Sequence, residues 1–131
     1  MRRPDWQQRL SDFGKARASM PFSWGANDCC SFAAGAVEAI TGRNPMARAE
    51  PYASEIGAAK IIARAGGLKT LASQYLGRPV SPLMAAVGDV VLVTNEGREM
   101  LAICNGVNAM APGERGMVAL GMDAALATWK V

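Results

Sequence analysis

The chain has 131 residues, half of them apolar, and 14 Lys and Arg against 11 Asp and Glu leave a formal charge of +3. That length supports one domain, residues 1–131, with its own core. The charge excludes little by its sign, but Arg2, Arg3, Arg9, Lys15 and Arg17 are the nearest approach to a basic face, without the concentrated stripe and stacking aromatics of a nucleic-acid binder.

In chain order, Asp5 to about Ala18 places Trp6, Leu10 and Phe13 at helical spacing, which predicts an amphipathic helix ended by Met20-Pro21-Phe22. A second helix is predicted from Asp28 to about Ile40, stopped by Thr41-Gly42; Glu38 is its only charge after the cap, so it is expected at the centre of the fold. Arg43 to Tyr52 reads as loop, Ser54-Glu55 opens a third helix through Arg64, and Leu68 to Leu76 forms a fourth. After Gly77 to Pro82 the pattern turns extended. Val90 to Val93 reads as a buried strand, Asn95-Glu96-Gly97-Arg98 as a hairpin turn, and Glu99 to Asn105 as the next strand. Val107 to Ala111 and Gly116 to Leu120 are expected as two short strands around Pro112-Gly113. Asp123 to Thr128 is expected as a last helical turn. Helices first and antiparallel strands after make the expected class α+β.

No run approaches the roughly 18 apolar residues of a membrane helix, and no apolar segment follows Arg2 and Arg3, so neither membrane insertion nor an export signal is expected. The three cysteines are odd in number and imply no disulfide framework. Cys29, Cys30 and Cys104 would offer a zinc or iron–sulfur site three thiolates and no imidazole, so such a site would need another chain. No cofactor or metal is expected.

The chemistry concentrates in Trp24-Gly25-Ala26-Asn27-Asp28-Cys29. Asp28 suits a helix N-cap, which makes Cys29 the first helical residue, in the positive end of the helix dipole where the thiolate is favoured. Pro21, Gly25 and Asn27 permit a tight loop, and Trp24 can line a cleft or close the helix start. The chain contains no histidine. Asp89, Glu96 and Glu99 are poor substitutes, because a carboxylate near pKa 4 lies about four units below a thiol; for Tyr52 and Tyr75, spacing offers no support.

Pro21-Phe22-Ser23-Trp24-Gly25 with Asp28-Cys29 resembles the P-[YF]-x-W-G and D-C-S-G motifs of NlpC/P60 domains, papain-like cysteine peptidases. Gly88-Asp89-Val90-Val91-Leu92 resembles their G-D-L-V-F strand. Met100 to Gly106 is similar to H-V-G-I-Y-x-G, and Ala109 to Pro112 to the I-H-A segment. The resemblance implies a papain-like fold, N-terminal helices packed on a small antiparallel sheet. It puts Cys29, next to Asp28, at the nucleophile and Met100 and Met110 at the histidine positions, with Trp24 beside the cleft. A thioether can neither take up the thiol's proton nor protonate a leaving amine.

Arg3 to Leu10, Phe22 to Val37 and Ala125 to Val131 further resemble an NlpC/P60-like group encoded in phage and prophage tail clusters. That resemblance implies a structural, inactive pseudo-peptidase of the virion tail tip, made in the host cytoplasm and partnered by hub, distal-tail or other tail-tip proteins. The alternative it leaves open is a cell-wall amidase or peptidase acting on peptidoglycan peptides during infection, its base supplied by a partner.

Overall fold

Local cap chemistry sets where the helices start and stop in the computed structural model, which describes residues 1–131. The helices are α1 (Trp6–Arg17), α2 (Cys29–Thr41), α3 (Glu55–Ala65) and α4 (Leu68–Leu76). Asp28 caps α2 through the Ser31 N–H, and Gly42 ends it in the left-handed conformation. Ser54 caps α3 through the Gly57 N–H, and Gly66 ends it the same way. The strands are β1 (Val90–Asn95), β2 (Arg98–Cys104), β3 (Asn108–Gly113), β4 (Gly116–Gly121) and β5 (Ala125–Trp129). The expected α+β order of helices and then antiparallel strands is present.

The sheet runs β4-β3-β2-β1-β5, with every neighbouring pair antiparallel. The β1–β2 hairpin turns through Glu96 and Gly97, both at positive φ, the two-residue turn whose twist matches its strands. Side chains alternate between two apolar layers. On one face, Phe32, Ala33, Ala36 and Val37 of α2 pack with Val90, Leu92, Leu101, Ile103, Ala127 and Trp129. On the other, Val91, Val93, Ala102, Cys104, Ala109 and Ala111 are covered by Met100, Met122 and Ala124, among others.

Helix α2 is central, as its lack of charge implies: six of its residues are buried. Helix α1 is peripheral and buries no residue fully. Its Phe13 packs on Phe32 and approaches α2 at Gly35, where a Cβ would lie 2.7 Å from the Phe13 ring.

The chain end departs from expectation. The last helical turn expected over Asp123 to Thr128 is a short 3-10 turn, Met122–Ala124, followed by β5. The free edge of β1 decides this. Val90 pairs with Trp129, Val91 with Thr128 and Leu92 with Ala127, so the last residues gain a hydrogen-bonded ladder that one isolated helical turn cannot supply. Pairing also sends Ala127 and fully buried Trp129 into the α2 layer, where Trp129 Nε1 donates to Ser73 Oγ of α4 at 3.2 Å.

Asp89 opens the way into β1 and is 0% exposed. Its Oδ1 accepts from Arg2 Nη2 at 3.1 Å and from the Val131 N–H at 3.0 Å; its Oδ2 accepts from the Ala86 N–H at 3.0 Å and pairs with the Lys130 ammonium. Both chain ends are tied to one carboxylate. Replacing Asp89 by Ala leaves Arg2 Nη2, the Val131 N–H and the Ala86 N–H without their acceptor, and is expected to cost about 3 kcal/mol; urea unfolding of the variant should show a lower midpoint.

Candidate functional site

The loop before α2 is built on three side chains. Asn27, buried, donates from Nδ2 to the carbonyls of Met20 and Pro21 at 3.2 and 3.0 Å, and its Oδ1 accepts from Arg17 Nη1 at 2.8 Å, which fastens the loop to α1. Asp28, 2% exposed, accepts from Ser31 N at 2.9 Å and from Gly25 N at 2.7 Å, while Ser31 Oγ accepts from Asp28 N at 2.9 Å. The Asp28 carboxylate is therefore committed to holding the helix start, a capping box with serine in place of the usual glutamate. Phe22 N donates to the Gly113 carbonyl at the end of β3, at 2.9 Å.

Gly25 stands at φ 83, and a Cβ there would lie 2.2 Å from the Tyr52 carbonyl oxygen. The Trp-Gly pair thus marks a point where the segment before α3 crosses the helix start at backbone contact. Trp24 is half-buried and packs edge-on against Phe22, ring centroids 4.8 Å apart. It braces the loop.

Cys29 is the first residue of α2, half-buried, with its Sγ 4.0 Å from that of Cys30. The Cys30 thiol, acting as donor, holds the Cys29 thiol below its ordinary value; burial opposes the shift, and the Leu101 backbone supports it. Cys30 is pushed up for the converse reason, since its proton is held by Cys29, and burial and the Asp28 charge push the same way. Of the pair, Cys29 is the sulfur that ionises more readily and Cys30 the one that keeps its proton. Tyr52 is also held above its ordinary value, first by burial and then by the Asp28 carboxylate beside it. Its phenol is a donor here and cannot serve as a base at neutral pH.

Met100 and Met110, which sequence resemblance sets at the histidine positions of NlpC/P60 domains, do not converge on Cys29. Met100 points to the opposite face of the sheet, among Val91, Val93 and Ala102. The β2 residue that meets the cysteine is its neighbour Leu101, because strand alternation sends successive side chains to opposite faces. Met110 is on the α2 side, where it lines a groove with Phe13, Phe32, Ile103 and Met117 under α1 that does not include Cys29. Cys104 belongs to the far layer with Met100, so the three cysteines are not gathered at one point. Among the carboxylates weighed as bases, Asp89 is engaged with the chain ends, and Glu96 and Glu99 are exposed at the hairpin.

Across residues 1–131 the chain matches DUF6950, a domain of unknown function. It belongs to that family. No curated protein matches it.

In this DUF6950 domain Cys30 and Tyr52, but not Cys29, line a cavity between α2, α3, α4 and the segment before α3. Tyr52 and Leu101 are the site residues that sequence leaves unplaced. Tyr52 lies 23 positions after Cys29 in a stretch without periodicity, and only the close approach at Gly25 brings it in.

Two outcomes follow. The midpoint of the pH–rate profile for Cys29 alkylation is expected below the ~8.5 of a free thiol, and Cys30→Ala, which removes the donor, should move it upward. Gly25→Ala adds a positive-φ penalty and a backbone clash, and should lower stability by about 2 kcal/mol or more in chemical unfolding.

Proposed function

We propose that this DUF6950 domain is a catalytically inactive, NlpC/P60-like pseudo-peptidase that serves as a structural part of a phage or prophage tail tip. One observation carries the inactivity. A cysteine at a helix start, with its thiolate favoured, has Cys30, Asp28, Tyr52 and Leu101 around it and no group able to shuttle a proton. Amide hydrolysis needs a base to receive the thiol proton and an acid to return it to the leaving amine. Asp28 is spent on the cap, and the chain has no imidazole.

The tail role rests on the sequence resemblance at Arg3 to Leu10, Phe22 to Val37 and Ala125 to Val131. Those stretches carry the frame: Trp6 and Leu10 of α1, the loop held by Asn27 and Asp28, and β5 with Trp129. The partners proposed are hub and distal-tail proteins, and the place is the virion tail.

The lowered Cys29 thiol favours keeping the second reading, a cell-wall amidase or peptidase completed by a base from a partner. One assay separates the two. The purified protein, alone and in assembled tail particles, is offered a peptidoglycan stem peptide. No cleavage above buffer is expected in either state, and the protein should be found by mass spectrometry in purified tails. Cleavage abolished by Cys29→Ala would overturn the inactive reading, and absence from tails the structural one.

A further inference from the structure

Helix α1 is anchored at both ends and open beneath its middle. At its start, Arg2 donates to the Val131 carbonyl at 2.8 Å and lies over the Trp6 ring, 4.1 Å from the centroid. At its end, Arg17 donates to Asn27 Oδ1 at 2.8 Å and covers the Phe13 ring at 4.8 Å, while Phe13 meets Phe32 with ring centroids 5.2 Å apart. Between these anchors α1 does not settle onto the sheet. Its apolar stripe of Trp6, Leu10 and Phe13 stays half-buried, and no residue of α1 is fully buried. The space left is a groove of about 300 Å³, which reaches the ~300–1,000 Å³ range of small-molecule sites.

No charged side chain lines the groove, so a charged molecule would lose hydration there without gaining a partner. The walls include three rings, Trp6, Phe13 and Phe32, and two thioethers, Met110 and Met117. Rings pack edge to face with another ring, and thioether sulfur packs at a ring edge, so the walls suit an aromatic occupant. The polar atoms are on the exposed margin. Gln7 and Ser11, one turn apart on α1, have no side-chain partner within the chain. Asn105 accepts the Val107 and Asn108 N–H groups on its Oδ1, which leaves its Nδ2 free.

We propose that the groove under α1 is a binding site for a small, uncharged aromatic molecule that carries one hydrogen-bonding group. The ring occupies the space between the aromatic and thioether walls, and the polar group meets Gln7, Ser11 or Asn105 at the mouth. A peptide fits less well, because its chain would have to thread beneath a helix anchored at both ends. Neither Cys29 nor Cys30 lines the groove, so the inference is independent of cysteine chemistry and of the tail role.

Indole is the probe, titrated to ~1 mM, the scale of a weak complex, into the full chain carrying methyl-labelled methionine. The Met110 and Met117 methyl resonances should shift saturably, and that of Met46, which lines the cavity beside α2, should stay in place. Gly14 also lines the groove, and a Cβ there would meet no atom within 4 Å. Gly14→Leu therefore adds bulk at a roomy position and favours the helix; it should weaken indole at least ~10-fold with helical circular dichroism retained. Indole-3-carboxylate, the same ring with a charge, should bind at least ~10-fold more weakly than indole to the unaltered chain. No saturable shift, a response at Met46 in place of Met110 and Met117, or equal affinity for the carboxylate would overturn the proposal. So would undiminished indole binding in folded Gly14→Leu.

Discussion

A buried carboxylate at the entrance to β1 holds the molecule closed. Asp89 accepts from Arg2 near one end of the chain and from the Val131 N–H at the other, and pairs with Lys130 between. Burying a charge is costly unless partners replace its water, and here they come from segments that are far apart in sequence. Once those ends are gathered, β5 must lie beside β1, and Trp129 must enter the layer under α2. The sheet that supports the cysteine helix is thus completed by the last residues of the chain.

A second buried carboxylate does the comparable task at the helix start. Asp28 satisfies two N–H groups, on Ser31 and Gly25, and so fixes both the first turn of α2 and the loop before it. The consequence for chemistry is a division of labour. The side chain that sequence sets beside Cys29 is structural, while the groups that hold the Cys29 thiol low are the adjacent thiol of Cys30 and the Leu101 backbone. Tyr52, delivered by the close backbone approach at Gly25, closes the site with a donor.

Much of this was legible before any coordinates. The helix start at Asp28, the glycine stop at Gly42, the serine cap of α3 and the hairpin at Glu96-Gly97 are local events, decided by backbone groups within a few residues of the side chains that satisfy them. The centrality of α2 was legible too, because a helix without charges has no face to give to water. Ala125 to Trp129 was not. Its five residues suit a helical turn as well as a strand, and only the unpaired edge of β1, more than thirty residues earlier, discriminates. The surroundings of Met100 were not legible for a related reason: a match gives a position along β2, but a one-residue difference decides which face of the sheet a side chain meets.

By itself, the sequence determined the α+β order, the caps, the cysteine at a helix N-terminus and the absence of any histidine. These depend on composition or on contacts between near neighbours. The tertiary structure alone decided that Cys29 meets Cys30 and Leu101 and not Met100, that Tyr52 joins them, that Cys104 packs in the other layer of the sheet, and that an apolar cavity runs from Cys30 along α2. Those outcomes depend on which faces and edges are brought together, and they follow from strand pairing and close packing between segments whose sequences do not refer to one another.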